Sequence, residues 1–156
     1  MLVEKVIGNI NDDQFKNSNV DYVDIEWHEA FKKLHKKTSK NGIEVGIKLD
    51  NDILTRGLRQ GDILAINDDN VIAVNIPKDK ALVVKVADTH LVPKVCYEIG
   101  NRHATLFEGD NHNEFITIYS EPMKEMLEKI GANVTVEDVQ FDFNKSISSS
   151  INAHHH

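Results

Sequence analysis

Pro77 separates two hydrophobic periodicities that cannot share one kind of secondary structure. Before it the apolar residues repeat every second position. In "GIEVGIKLD", Ile43, Val45, Ile47 and Leu49 alternate with Glu44, Gly46 and Lys48, the pattern of a strand with one face buried. Asn41-Gly42 supplies a turn just upstream, and "HKKTSK" before it reads as a polar edge strand, so a hairpin is expected. "LRQGDILAINDDNVIAVNI" gives a Gly61-Asp62 turn, a strand over 63–66, an Asp-Asp-Asn turn and a strand over 71–76. With further strands near 2–7 and 20–27, residues 1–77 read as a small β-rich domain. Proline cannot donate to a ladder, which places the boundary at Pro77.

After Pro77 the order becomes strand, helix, strand, strand, helix, strand, that of a ferredoxin-like βαββαβ unit over 78–143. "ALVVKVA" is the first strand. Residues 89–99 follow as a helix with Leu91, Val92, Val95, Cys96 and Ile99 on one face and Pro93 in its first turn. Gly100 is expected to cap that helix, because the left-handed conformation at its end costs glycine least. "ATLFEG" and "EFITIY" form the central hairpin. Ser120 caps a second helix whose Met123, Met126, Leu127 and Ile130 share a face before Gly131 ends it, and "NVTVEDVQF" is the last strand. Residues 144–156 are too polar and serine-rich to bury anything and read as a flexible tail ending in His154, His155 and His156. The fold class expected is therefore α+β.

The formal charge of −7, from 18 basic and 25 acidic residues, leaves no basic stripe for a phosphate backbone, which argues against nucleic acid. No apolar run approaches the roughly 20 residues that span a bilayer, and the N-terminus turns acidic too soon for a secretory signal. A single cysteine, Cys96, excludes an internal disulfide and fits a reducing compartment. Nucleophile-elbow, P-loop, zinc-protease and dinucleotide motifs are all missing, so the reading is not that of an enzyme. Asp12-Asp13 and Asp68-Asp69 sit in turns, where aspartate is at home. An acylphosphatase-type enzyme would use an arginine and an asparagine on this fold, as Asn101-Arg102 offers. It also needs a phosphate cradle between first strand and first helix, and "ADTHL" carries no arginine or glycine-rich turn.

Histidines are the remaining carriers of chemistry. His103 follows the first helix of the second domain, off its apolar face, where its ring meets solvent or a partner. If that helix borders a twofold axis, two copies of His103 make a two-nitrogen metal site that one chain lacks. Consecutive imidazoles at His154, His155 and His156 suit nickel, copper, zinc or cobalt, and read either as native ligands or as the remnant of a purification tag. His112, in "GDNHNE", is a loop residue able to assist a metal. His28 and His90 show no partner spacing, and Cys96 reads as a small apolar residue.

"EIGNRHA", with "LRQGDIL" in the β-rich half, a ferredoxin-like remainder and a histidine-bearing tail, resembles the UreE family of urease accessory proteins along nearly the whole chain. Gly100-Asn101-Arg102-His103 is similar to the family's GNRH motif and Leu58–Asp62 to a second recurrent stretch. The resemblance implies a cytosolic nickel metallochaperone. Its first domain would be peptide-binding-like, and its second would bind metal and form the homodimer. It makes His103 the central Ni2+ ligand, paired across the dimer, with His154–His156 completing or feeding the site and zinc or copper competing. It further implies the urease accessory GTPase and the urease apoprotein assembly as partners; a homodimer and a metal-linked pair of dimers both remain open as the assembly. Ala104-Thr105 departs from the aliphatic-proline pair of many relatives, and "EFITIY" lacks the extra histidines of some, so accessory metal capacity should be small. A peptide-binding module with incidental metal is the alternative reading.

Overall fold

Alternation in the first half resolves into two small sheets. The computed structural model describes residues 1–148, so His154, His155 and His156 lie outside the described residues. The chain divides into two compact units, one of Met1–Pro77 and one beginning at Lys78. In the first, β1 (Leu2–Val3), β2 (Gly8–Asn9), β3 (Asn19–Asp24), β4 (Leu34–Thr38), β5 (Glu44–Lys48), a single helical turn α1 (Ile53–Arg56), β6 (Asp62–Asn67) and β7 (Asn70–Asn75) follow in order. One sheet has the order β1-β5-β4 and the other β2-β6-β7-β3. The expected hairpin is β4 and β5, antiparallel with Leu34 opposite Lys48. Gly42 turns it at φ +91°. Val45 and Ile47 are buried while Glu44 and Lys48 face water, as alternation requires. The single strand expected near 2–7 is instead two. Leu2–Val3 pairs parallel to β5 and Gly8–Asn9 antiparallel to β6, so the chain changes sheets between them.

Leu58–Asp62 closes this unit. Leu58 is buried, and Gln60 accepts from the Ile76 backbone N–H through Oε1 at 2.7 Å. Gly61 stands at φ +83°, where an added Cβ would lie 2.7 Å from the Ile10 side chain. Asp62, with no exposed surface, receives Arg56 in a two-pronged pair at 2.7 and 2.9 Å, the Arg59 backbone N–H at 2.8 Å and the Asn9 amide at 3.3 Å. A buried carboxylate with four donors is fully satisfied and specifies one backbone path.

His35 is the buried histidine of this unit, with Nε2 donating to the Lys32 carbonyl at 2.9 Å. Loss of hydration holds its pKa below the usual 6.5, partly opposed by that hydrogen bond. The unfolded chain therefore protonates first as pH falls. The stabilisation by neutral His35 is complete above about pH 6.5 and shrinks as pH drops toward the folded value. Trp27 is the single tryptophan and lies in this unit, so its fluorescence follows the unit's unfolding. Urea midpoints should fall between about pH 7.5 and about pH 5.5, and fall less in His35→Gln. An equal fall in both proteins would remove His35 as the cause.

In the second unit β8 (Asp79–Lys85), α2 (Val92–Asn101), β9 (Leu106–Glu108), β10 (Glu114–Ile118), α3 (Glu121–Lys129) and β11 (Asn133–Val139) follow the expected order. The sheet order β11-β8-β10-β9, antiparallel throughout, is that of a ferredoxin-like fold. Leu82 and Val84 of β8 and Val134 of β11 pack with Val95 and Ile99 of α2 and Met123 and Leu127 of α3 in one core. Ser120 accepts from the Met123 N–H and caps α3 as expected. The first helix is displaced from 89–99: a 3-10 turn occupies Thr89–Leu91, and α2 runs through Gly100 to Asn101. Gly100 is thus a helical residue and not the cap.

The stretch from Asn144 also departs from expectation. Lys145 pairs with Asp110 at 2.9 Å, Ser146 bridges Phe107, and the Ile147 N–H donates to the Leu106 carbonyl at 2.9 Å. This polar stretch is held down through Ile147 because the sheet offers it the free edge of β9.

Candidate metal centre

Both helices of the second unit end in the same backbone motif. In α3 the left-handed residue is Gly131, whose N–H donates to the Glu128 carbonyl at 3.1 Å while the Ala132 N–H donates to Leu127 at 3.0 Å. In α2 that place is taken by His103, with its N–H on the Gly100 carbonyl at 2.9 Å and the Ala104 N–H on Ile99 at 3.3 Å. These are the paired bonds of a Schellman motif, which ordinarily selects glycine. His103 adopts φ +58° and Gly131 φ +105°. A side chain at such φ costs roughly 1 to 2 kcal/mol, so the α2 end is occupied by the costlier of two solutions this chain uses.

The surroundings fix the His103 backbone and leave its ring in solvent. Ile99 is buried below it, and Ala104 packs on the same core. One residue further, the Thr105 carbonyl accepts from the buried Thr117 hydroxyl at 2.8 Å. Arg102 is turned back along its helix, donating to Glu98 Oε2 at 2.7 Å and to the Glu98 carbonyl at 3.2 Å. His103 itself is exposed, and its ring has no hydrogen-bond partner among the described residues. The result is an anchored backbone carrying a free imidazole, suited to a ligand supplied from outside the chain.

No other sequence-selected ligand is gathered there. His112 is exposed in the turn after β9, whereas His103 precedes β9, so the two lie at opposite ends of that strand. His90 lies in the 3-10 turn before α2, and His28 packs edge-on against Trp27 in the first unit. Cys96 is half-buried on α2, and burial raises its thiol pKa, which disfavours the ligating thiolate. Among the described residues no three His, Cys, Asp or Glu side chains form a group able to hold a metal. The loop before α2 holds Asp88, whose carboxylate accepts from the His90 N–H. A carboxylate there opposes a phosphate cradle, and Arg102 stands at the other end of a ten-residue helix, about 15 Å away by its rise.

The profile described as "UreE urease accessory protein, N-terminal domain" matches residues 3–77, and the corresponding C-terminal domain profile matches 79–156. The chain belongs to the UreE family. It is 37 % identical over 151 residues to the urease accessory protein UreE of Helicobacter pylori strain P12, covering 97 % of this chain and 88 % of that protein. The UreE of Acetivibrio thermocellus is 44 % identical over 132 residues, 84 % of this chain and 82 % of its own. Helicobacter acinonychis UreE is 36 % identical, again over 97 % and 88 %.

Within this UreE chain the two stretches that suggested the family differ in kind. Leu58–Asp62 is structural throughout, whereas Gly100–His103 ends in an exposed side chain on a strained residue. The left-handed conformation of His103 was missed because Gly100 offered an obvious cap. Its signal was an apolar residue followed four positions on by the left-handed residue and then alanine. Ile99, His103 and Ala104 repeat the spacing of Leu127, Gly131 and Ala132. Among the described residues no helix is long and apolar enough to cross a membrane.

Proposed function

We propose that this UreE chain is a nickel metallochaperone for urease assembly, with His103 as the ligand that each protomer of a homodimer brings to a shared site. The observation that carries the reading is the exposed imidazole of His103 at a left-handed helix end that glycine would occupy at lower cost. Strain kept at a solvent-facing histidine points to a use for the imidazole. Gly100, one turn earlier, supports an apposed copy. It is a helical glycine that costs up to about 1 kcal/mol relative to alanine. Among the described residues, nothing beyond its chain neighbours and its own helix backbone lies within 4 Å of where its Cβ would be. Tyr97, three residues before it, is 67 % exposed. Close approach of a twin helix over this face would bring two His103 rings together.

Two imidazoles with waters filling the remaining positions make an open site, which suits a carrier that must release its cargo. His154, His155 and His156 are the further ligands of the proposal and His112 an accessory one. Zinc and copper are competitors, because imidazole does not exclude them. The domain roles belong to the same proposal, with metal binding and dimerisation in residues 78–143 and partner binding in residues 1–77. Leu2 and Leu34, 65 % and 67 % exposed, sit on one face of the β1-β5-β4 sheet and support a partner surface there. The accessory GTPase and the urease apoprotein are the partners of the reading, and the cytosol its compartment.

Gly100→Ala tests the dimer. A methyl group facing water would stabilise α2 and leave association unchanged. Between packed helices it should raise the dimer dissociation constant about tenfold by overpacking, read by sedimentation equilibrium. A more stable chain with unchanged association would overturn the apposition of α2 helices.

A further inference from the structure

Residues 30–49 carry six lysines and one acid, Glu44, in a chain whose net charge is −7. Folding gathers that positive charge on the β4-β5 hairpin. Lys37 pairs with Glu29 at 2.8 Å, Lys40 with Asp24 at 2.8 Å, and Lys33 donates to the Asn51 side chain at 2.9 Å. Lys32, Lys36 and Lys48 are exposed and have no ion-pair partner among the described residues. β4 also ends its sheet, with β5 on one side and no strand on the other. The Leu49 N–H donates to the Lys33 carbonyl and the Ser39 N–H to that of Ile43, so the odd residues of β4 turn their backbone groups toward β5. The N–H and C=O groups of Leu34 and Lys36 point the other way and meet no partner among the described residues. At Lys40 the edge closes, its N–H on the Tyr22 carbonyl of β3 at 2.9 Å.

We propose that this open edge is a docking strand for an acidic, extended segment of a partner protein, which adds to the sheet beside Leu34 and Lys36. The outward N–H and C=O groups of those two residues supply the main-chain pairing, and their side chains select the occupant. On the outer face Leu34 stands beside Lys48, and Lys36 shares a row with Gly46 and Leu2. Gly46 has no side chain of its own, and Cδ1 of Leu2 lies 4.0 Å from where its Cβ would be. The face thus sets apolar surface between two ammonium groups. It fits a segment with an aliphatic residue opposite Leu34 and a carboxylate opposite Lys36, two positions apart on one face. Charge opposes a second copy as the occupant, because edge-to-edge pairing would bring the lysines of β4 against those of its twin. The inference names the chemistry of the partner surface proposed for residues 1–77 and rests on that reading.

The test uses neither nickel nor urease. A heptapeptide of threonines with glutamate, valine and glutamate at its second, fourth and sixth positions, blocked at both ends, is titrated into the isotope-labelled full chain and followed by amide shifts. Expected are saturable shifts centred on the Leu34 and Lys36 amides, with slowed solvent exchange at both. The same peptide with lysine for glutamate should bind about tenfold more weakly, as should one N-methylated at its glutamate and valine nitrogens. Lys36→Pro removes the outward N–H, a change an edge strand tolerates, and should weaken binding about fivefold. Lys36→Glu keeps the N–H and should weaken it about as much through charge. Trp27 fluorescence reports whether each variant folds, and where Lys36→Pro does not, Lys36→Glu and the N-methylated peptide decide. No saturable shift at millimolar peptide, shifts centred elsewhere, or equal binding by the N-methylated peptide would overturn the docking strand. So would the same shifts on concentrating the chain alone, which would assign the edge to a second copy, or with inorganic polyphosphate, which would leave a charged patch without strand pairing. Failure here beside intact nickel binding at His103 would leave the chaperone reading standing, and loss of nickel binding would leave these shifts in place.

Discussion

His103→Gly is expected to make the protein more stable and to destroy its nickel site. Relief of the left-handed strain returns roughly 1 to 2 kcal/mol, and the greater freedom of glycine in the unfolded chain takes back about 0.5 to 1. The net gain is between about 0 and 1.5 kcal/mol, centred near 0.75 and visible as a raised urea midpoint by far-ultraviolet circular dichroism. The Gly100, Ile99 and Thr117 hydrogen bonds that fix this turn use backbone atoms of residues 103–105, and survive the change. Calorimetric titration should then show the tight nickel event gone, because the dimer loses two imidazoles at once. His103→Ala is the companion. It removes the same ring without relieving φ, so it should lose nickel equally and gain no stability. A glycine variant that is less stable than the parent would mean the ring makes contacts that hold the fold. A variant that binds nickel as before would mean His103 is not a ligand.

The second large effect belongs to the first unit. Asp62→Ala should destabilise it by about 3 kcal/mol, since truncating one member of a buried pair leaves the other charge and several donors unmatched. Arg56, the Arg59 N–H and the Asn9 amide all converge on this carboxylate, and only Arg56 has an evident route to water. The loss should appear in Trp27 fluorescence at lower urea. If the two units unfold independently, the circular dichroism of α2 and α3 and the nickel titration keep their parent values. A shift under about 1 kcal/mol would show that water or a rearranged Gln60 replaces the carboxylate.

Much of the fold was legible because each of these elements keeps one periodicity along its length. Alternation at Ile43–Leu49 produced β5 and its hairpin, and the spacing of Met123, Met126, Leu127 and Ile130 produced α3 with Ser120 at its start. What escaped depended on tertiary choice. Nothing local at residues 2–9 says that the chain leaves one sheet for another. Gly100 looked like a cap because glycine is cheapest there, yet the bonds from Ala104 to Ile99 carry the helix past it to His103. The anchoring of Asn144–Ile147 escaped for the opposite reason: the stretch is polar, but Phe141 and Phe143, two residues apart and both packed on Phe107, hold its start in place. The candidate site was legible as a residue and illegible as a geometry, because residue order does not show an apposed copy.

A crystal structure of the nickel-loaded full chain tests the central claim most directly. The account predicts nickel on a twofold axis, bound by the His103 imidazole of each of two protomers whose α2 helices meet across Gly100. Nickel held by other side chains, with the two His103 rings far apart and facing solvent, would contradict it.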